Sequence, residues 1–136
     1  MLTVHSIAQH GIQKEPFVTT SPNPARAGLA NGDTVLGFGV RLTRTIEVVN
    51  LVASCGYDWL FIDLEHGPTS VETAADLCTA ALAAGIAPLA RMSEADYSTA
   101  ARMLDAGAWG ILMPHIERAA DASEMVKRLK FPPLGD

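Results

Sequence analysis

Little in this sequence would take a chain out of the cell or onto a charged polymer. It has only two cysteines, Cys55 and Cys78. Both fall inside helix-like apolar patterns, so no disulfide framework and no zinc spacing can be built from them. They read as buried, reduced thiols in a reducing compartment. Basic residues are scarce: 10 Lys and Arg against 15 Asp and Glu leave a net charge of −5, with no basic run. That balance argues against nucleic acid and against an anionic membrane surface. No arginine precedes Arg26, which a transit peptide would need, and no continuous apolar run makes a signal h-region or a membrane span. A cytoplasmic location is the expectation.

What the chain does have is apolar content. Residues of that kind make up 49% of its 136 positions, enough for a real core in one domain or in a piece of a larger one. Residues 1–22, with His5 and His10, read as a loosely ordered extension. From Asn23 onward one theme repeats. Asn23, Pro24 and Gly32 mark the cap, first turn and end of a helix. The stretch 34–40, TVLGFGV, reads as a strand whose glycines allow something to pack closely. A helix follows with Val48, Leu51, Val52 and Cys55 on one face and Gly56 as its stop.

The second strand, DWLFIDL, is apolar on both parities, as a covered parallel strand should be. Its helix opens on a Thr69-x-x-Glu72 capping box, carries Val71, Ala74, Ala75, Cys78 and Leu82 inward, and ends at Gly85. APLAR is a third strand, followed by a helix marked by Tyr97, Ala100, Ala101 and Leu104 and closed by Gly107. WGILMP is a fourth strand, and Asp121-x-x-Glu124 opens a helix with Ala122, Met125, Val126 and Leu129 inward. Trp59 and Trp109 begin strands and are assigned to packing.

Strand–helix units thus recur at intervals of roughly 25 residues, which fits either an open doubly wound sheet or part of an eight-fold barrel. The first strand–helix turn lacks G-x-G-x-x-G, so a dinucleotide fold is disfavoured and the barrel preferred. The expected fold is α/β: a partial (β/α)8 TIM barrel of about four units over residues 23–136. The closing KFPPLGD reads as a loop into a fifth strand, so the chain is expected to be the first half of such a barrel.

In parallel α/β folds the chemistry sits at the carboxyl ends of the strands. Those positions here hold Arg41, then Asp63, Glu65 and His66, then Arg91, then His115 after Pro114. Together they ask for an anionic substrate. His66 lies in a Gly-Pro loop and can be a loop brace. As a proton carrier it would need an acid on one ring nitrogen, with Asp63 the first choice and Glu65 the competitor. Arg91 can either pair with Glu94 or Asp96 or hold a substrate carboxylate by its planar fork. His115 reads as a loop hydrogen-bonder, and Arg41 and Arg44 as anion contacts or solvent-exposed cations. No Ser/His/Asp set can be argued, and only Asp63 and Glu65 approach what a hard divalent ion requires.

The runs GYDWLFIDLEHGPTS, APLAR, AGAWGILMPHIERAADA and KFPPLGD together resemble the HpcH/HpaI aldolase family, in its macrophomate-synthase-like style, over about four fifths of the chain. The most specific piece is D-x-E-H-x-P with the downstream arginine. The resemblance implies a metal-dependent (class II) pyruvate aldolase, acting on 2-oxo acid and aldehyde substrates through a pyruvate enolate. It implies His66 as the proton-transferring base, Asp63 as the acid orienting it, and Arg91 as the contact to pyruvate oxygens. It further implies a homo-oligomer and a divalent ion (magnesium, manganese or cobalt) held after the fifth and sixth strands, so no metal ligand is assigned to this chain. Leu64 stands where several members have glycine. On this basis the chain alone is expected to be inactive. The alternative is a non-catalytic half-barrel serving binding or oligomerisation.

Overall fold

The computed structural model describes residues 23–135. The extension with His5 and His10 lies outside the described residues. Four strands, β1 (Gly37–Val40), β2 (Trp59–Asp63), β3 (Ala87–Arg91) and β4 (Gly110–Leu112), form one parallel sheet in chain order. Between and around them run α1 (Pro24–Asn31), α2 (Glu47–Ser54), α3 (Val71–Ala83), α4 (Tyr97–Asp105) and α5 (Ala119–Leu129). This is the α/β half-barrel arrangement the repeating units imply.

The register divides the sheet into two unlike faces. Val40, Ile62, Ala90 and Ile111 align across the strands on one face, and Gly39, Phe61, Leu89 and Gly110 on the other. Val40, Leu60, Ile62, Ala90 and Met113 belong to the buried core with Val49 and Val52 of α2, Ala74, Leu77, Cys78 and Ala81 of α3, and Ala100 and Met103 of α4. The helices therefore cover one face. On the other, Gly39 is exposed and Trp59, Phe61 and Leu89 are half-buried. That bare face corresponds to the interior of a closed barrel.

The two glycines of β1 differ in their surroundings. A Cβ on Gly37 would run into the Trp59 indole, so glycine there leaves room for that ring to lie across β1. Nothing lies within 4 Å of such an atom at Gly39. The strand itself begins three residues later than the sequence pattern suggests. The Leu36 N–H is taken by the Asp58 carboxylate at 2.8 Å rather than by a neighbouring strand.

Helix ends follow side-chain chemistry closely. Asn23 caps α1 by accepting from the Arg26 N–H at 3.0 Å, and Gly32 ends it at φ 82°. At α3 the cap is Ser70, which accepts from the Thr73 N–H at 3.1 Å, not Thr69 as the capping-box pattern suggests. The one-residue shift leaves the Thr69 hydroxyl buried without a partner among the described residues. α5 begins at Ala119 with Arg118 as its cap, three residues before Asp121, whose carboxylate accepts from the Arg118 N–H at 3.2 Å.

Two inward faces differ from expectation. In α2 the buried residues are Val49 and Val52, while Leu51 and Cys55 are exposed. Apolar residues occur all round that short helix, so periodicity could not choose the stripe. In α5 Met125 and Leu129 are half-buried, but Ala122 and Val126 are exposed, because the helix lies against α4 at the sheet edge.

The cysteines therefore part company. Cys78 is fully buried and burial pushes its thiol up to about 12, whereas Cys55 faces solvent. A thiol reagent at pH 8 is expected to titrate one cysteine of the folded chain rapidly and the second only on unfolding. Equal rates for both would mean that α3 does not seat Cys78 against the sheet.

Candidate active site

The carboxyl ends of the strands converge on Asp63. It is the last residue of β2, aligned with Arg91, the last residue of β3. Both lie on the uncovered face, since Asp63 follows Trp59 and Phe61 in parity and the Arg91 guanidinium sits 5.5 Å from the Phe61 ring centroid. Asp63 is fully buried. A lone carboxylate in that position would be expensive, so the surrounding donors decide its fate.

Those donors are numerous. Arg91 Nη2 donates to Asp63 Oδ2 at 2.6 Å and its Nε to Oδ1 at 3.0 Å, a bidentate fork. The backbone N–H groups of Glu65 and His66 each donate to Oδ1 at 3.1 Å. Burial alone would raise the carboxyl. The Arg91 hydrogen bond, the two amides and the Arg91 charge outweigh it and hold Asp63 at about 2. The same contact raises the Arg91 guanidinium further above its ordinary value. Asp63 is therefore ionised, and it fixes both the arginine and the turn that follows β2.

That turn is tight. A Cβ at Gly67 would stand 2.5 Å from the Asp63 carbonyl oxygen and 3.1 Å from that of Arg41, so the D-L-E-H-G run needs its glycine to pass. From β1, Arg41 reaches over. Its Nη2 donates to the His66 carbonyl at 3.1 Å, and its Nε lies 3.5 Å from Asp63 Oδ2.

The sequence reading is corrected in one respect by the position of His66. Its ring does not meet Asp63, which instead receives its backbone N–H. The acid facing the ring is Glu65, with Oε2 3.5 Å from His66 Nε2. Glu65 turns into the site. Its side chain is 11% exposed, with Oε2 3.2 Å from Arg91 Nε and Oε1 3.1 Å from His115 Nε2. Nor does Arg91 turn to Glu94 or Asp96. Glu65 is the residue the sequence undervalued, and the signal for it was its place two residues past a strand end beside the candidate base.

His115 joins the rim at φ 57°, a left-handed conformation rare outside glycine. It also borders a cavity of about 600 Å³ between the loops after β3 and β4, lined by Glu94, Tyr97, Pro114, Arg118 and Asp121. Arg44 makes no ion pair among the described residues.

The arrangement can bind an anion and move a proton. Arg91 engages Asp63 through Nε and Nη2, and the 61% exposed His66 ring shares Glu65 Oε2 with it. A divalent ion does not fit this rim. Among the described residues no group of three His, Cys, Asp or Glu side chains is placed to hold one. The oxygens of Asp63 and Glu65 already face Arg41, Arg91, His66 and His115.

Comparison with known proteins gives concordant results. A family model described as HpcH/HpaI aldolase/citrate lyase matches residues 22–135. A 4-hydroxy-4-methyl-2-oxoglutarate aldolase from Chaetomium globosum is 42% identical over 107 residues, 78% of this chain and 40% of that protein. A 2-keto-3-deoxy-L-rhamnonate aldolase from Salmonella gallinarum is 34% identical over 113 residues, 83% of this chain and 42% of that protein. The crystal structure of an HpcH/HpaI aldolase from Desulfitobacterium hafniense superposes with a TM-score of 0.75 at 31% identity, covering 82% of this chain and 43% of that one. Macrophomate synthase superposes with a TM-score of 0.72 at 27% identity, covering 82% of this chain and 38% of that one. The chain thus spans about 40% of the length of the curated relatives it matches.

Proposed function

The chain belongs to the HpcH/HpaI aldolase/citrate lyase family, and we propose that its rim is the 2-oxo acid half of a carbon–carbon lyase site. The reaction would cleave or form a 4-hydroxy-2-oxo acid through the enolate of pyruvate, with an aldehyde or ketone as the second product. The observation that carries this reading is the buried Asp63–Arg91 fork on the open face of the sheet, with the rest of the rim built around it.

Arg91 binds the 2-oxo acid through its remaining edge and stabilises negative charge as it gathers on the enolate oxygen. Asp63 holds that fork at a fixed angle, which is why a point cation would be a poor substitute. His66 takes the proton of the 4-hydroxyl as the bond between carbons three and four breaks, and returns it to carbon three of the enolate. Glu65 steadies the ring, in the place first assigned to Asp63. The class II chemistry expected of the family draws on magnesium, manganese or cobalt. The rim residues do not fit such an ion.

A cytoplasmic homo-oligomer remains part of the proposal. No helix among the described residues is long and apolar enough to cross a membrane. The bare sheet face and the exposed Leu112 favour a second reading, in which the isolated chain is a binding or association module. One assay separates the two. Pyruvate release from 4-hydroxy-2-oxo acids, with each metal added, is expected at background for the 136-residue chain and well above it for a protein carrying the remaining strands. Turnover by the chain alone would overturn the inactivity prediction. None from the longer protein would overturn the aldolase reading.

A further inference from the structure

We propose that two copies of this chain close one eight-stranded barrel, the β4 edge of each copy pairing in parallel with the β1 edge of the other. The inference rests on the association reading above and gives it a geometry, and it does not depend on the 2-oxo acid site. β1 and β4 are the outer strands of the sheet, each with one edge unpaired among the described residues. Every exposed large apolar side chain among those residues lies within 29–51 or 112–134. None lies on β2, α3, β3 or α4. The apolar groups left most open to water therefore belong to the two edges.

The β4 edge has room for a strand. A cavity of about 370 Å³ is lined there by Trp109, Gly110 and Ile111 on one side and by Met125, Val126 and Leu129 of α5 on the other. β2 and β3 have neighbours on both sides, so β1 is the strand with a free edge to enter it. On the bare face Phe61 and Leu89 stand between Gly39 and Gly110 in register, with large side chains in the middle of each half and glycines where the seams would form.

Pairing β1 with β1, or β4 with β4, would leave the other apolar edge uncovered. Head-to-tail pairing of β4 with β1 covers both. A sheet of four strands is half of an eight-stranded barrel, so that contact made twice closes the ring. Charge supports the same seam. Arg44 follows β1 and Glu117 follows β4, both at the carboxyl-end rim. Neither makes an ion pair among the described residues. Parallel pairing brings these two loops together, Glu117 of one copy against Arg44 of the other.

The test is analytical ultracentrifugation of the 136-residue chain over a wide concentration range. A species of twice the 14.4 kDa chain mass is expected. Val126→Glu alters a side chain exposed in the single chain, so the fold should survive, as circular dichroism would check. The dimer should weaken by about a hundredfold or more, since its two seams would each bury a charge. Arg44→Glu and Glu117→Arg should each weaken it by about tenfold. Mixed in equal amounts they should restore it, because both seams then pair opposite charges. A dimer indifferent to these changes, or not restored by mixing, would overturn this seam while leaving association standing. Mass that keeps growing with concentration would mean an open filament and overturn the closed barrel. A monomer at every concentration would leave the groove to another occupant and overturn both the barrel and the association reading.

Discussion

Replacing Asp63 by alanine is expected to destabilise the fold by about 3–5 kcal/mol, the usual cost of breaking a buried charge pair, here with the amides of the turn also losing their acceptor. This is a large share of the roughly 5–15 kcal/mol that holds a domain of this kind together. The side chain is fully buried and joins three segments: the Arg91 fork, the amides of the turn after β2, and Arg41 from β1. Urea unfolding of the variant should show a much lower midpoint with an unchanged slope. The pH dependence has a definite sign. The carboxyl is depressed from 3.8 to about 2, so its stabilisation is present above pH 4 and is lost as pH falls through the interval to about 2. Asp63→Asn should lack that acid limb. A variant with wild-type stability, or with the same acid limb, would remove Asp63 from the centre of the rim.

His66→Ala is expected to behave in the opposite way. The ring is 61% exposed, so stability should change by less than about 0.5 kcal/mol. In a protein that carries the remaining strands, aldol cleavage should fall by about 10²–10⁴-fold, the usual worth of a positioned proton carrier. Metal affinity should hardly change, because no ligand is lost. Full activity in the variant would take His66 out of the mechanism. The two variants test separate proposals, that Asp63 holds the rim together and that His66 carries its chemistry.

Much of this was legible in the sequence because punctuation and register are local. Gly32, Gly56, Gly85 and Gly107 all lie at positive φ just past helix ends, where the pattern put helix stops. APLAR coincides with β3, and a strand-final acid and a strand-final arginine meet because adjacent parallel strands place them side by side. What stayed hidden depended on directions of side chains after the strands end. Whether Glu65 turns inward is set by the two Asp63–amide contacts that curl the turn, and no spacing rule encodes them. The left-handed backbone of His115 brings that ring onto Glu65, which residue type alone could not show. In α2, apolar residues on more than one face left the buried stripe to be chosen by the sheet beneath it.

The most direct measurement adds pyruvate to the 15N-labelled chain and maps which signals move. Saturable shifts confined to the Arg91 side chain and the Glu65 and His66 amides are the predicted result. Shifts clustered around Trp59 and Trp109 at the other end of the strands, or no shifts at any concentration, would contradict a 2-oxo acid site built on Asp63.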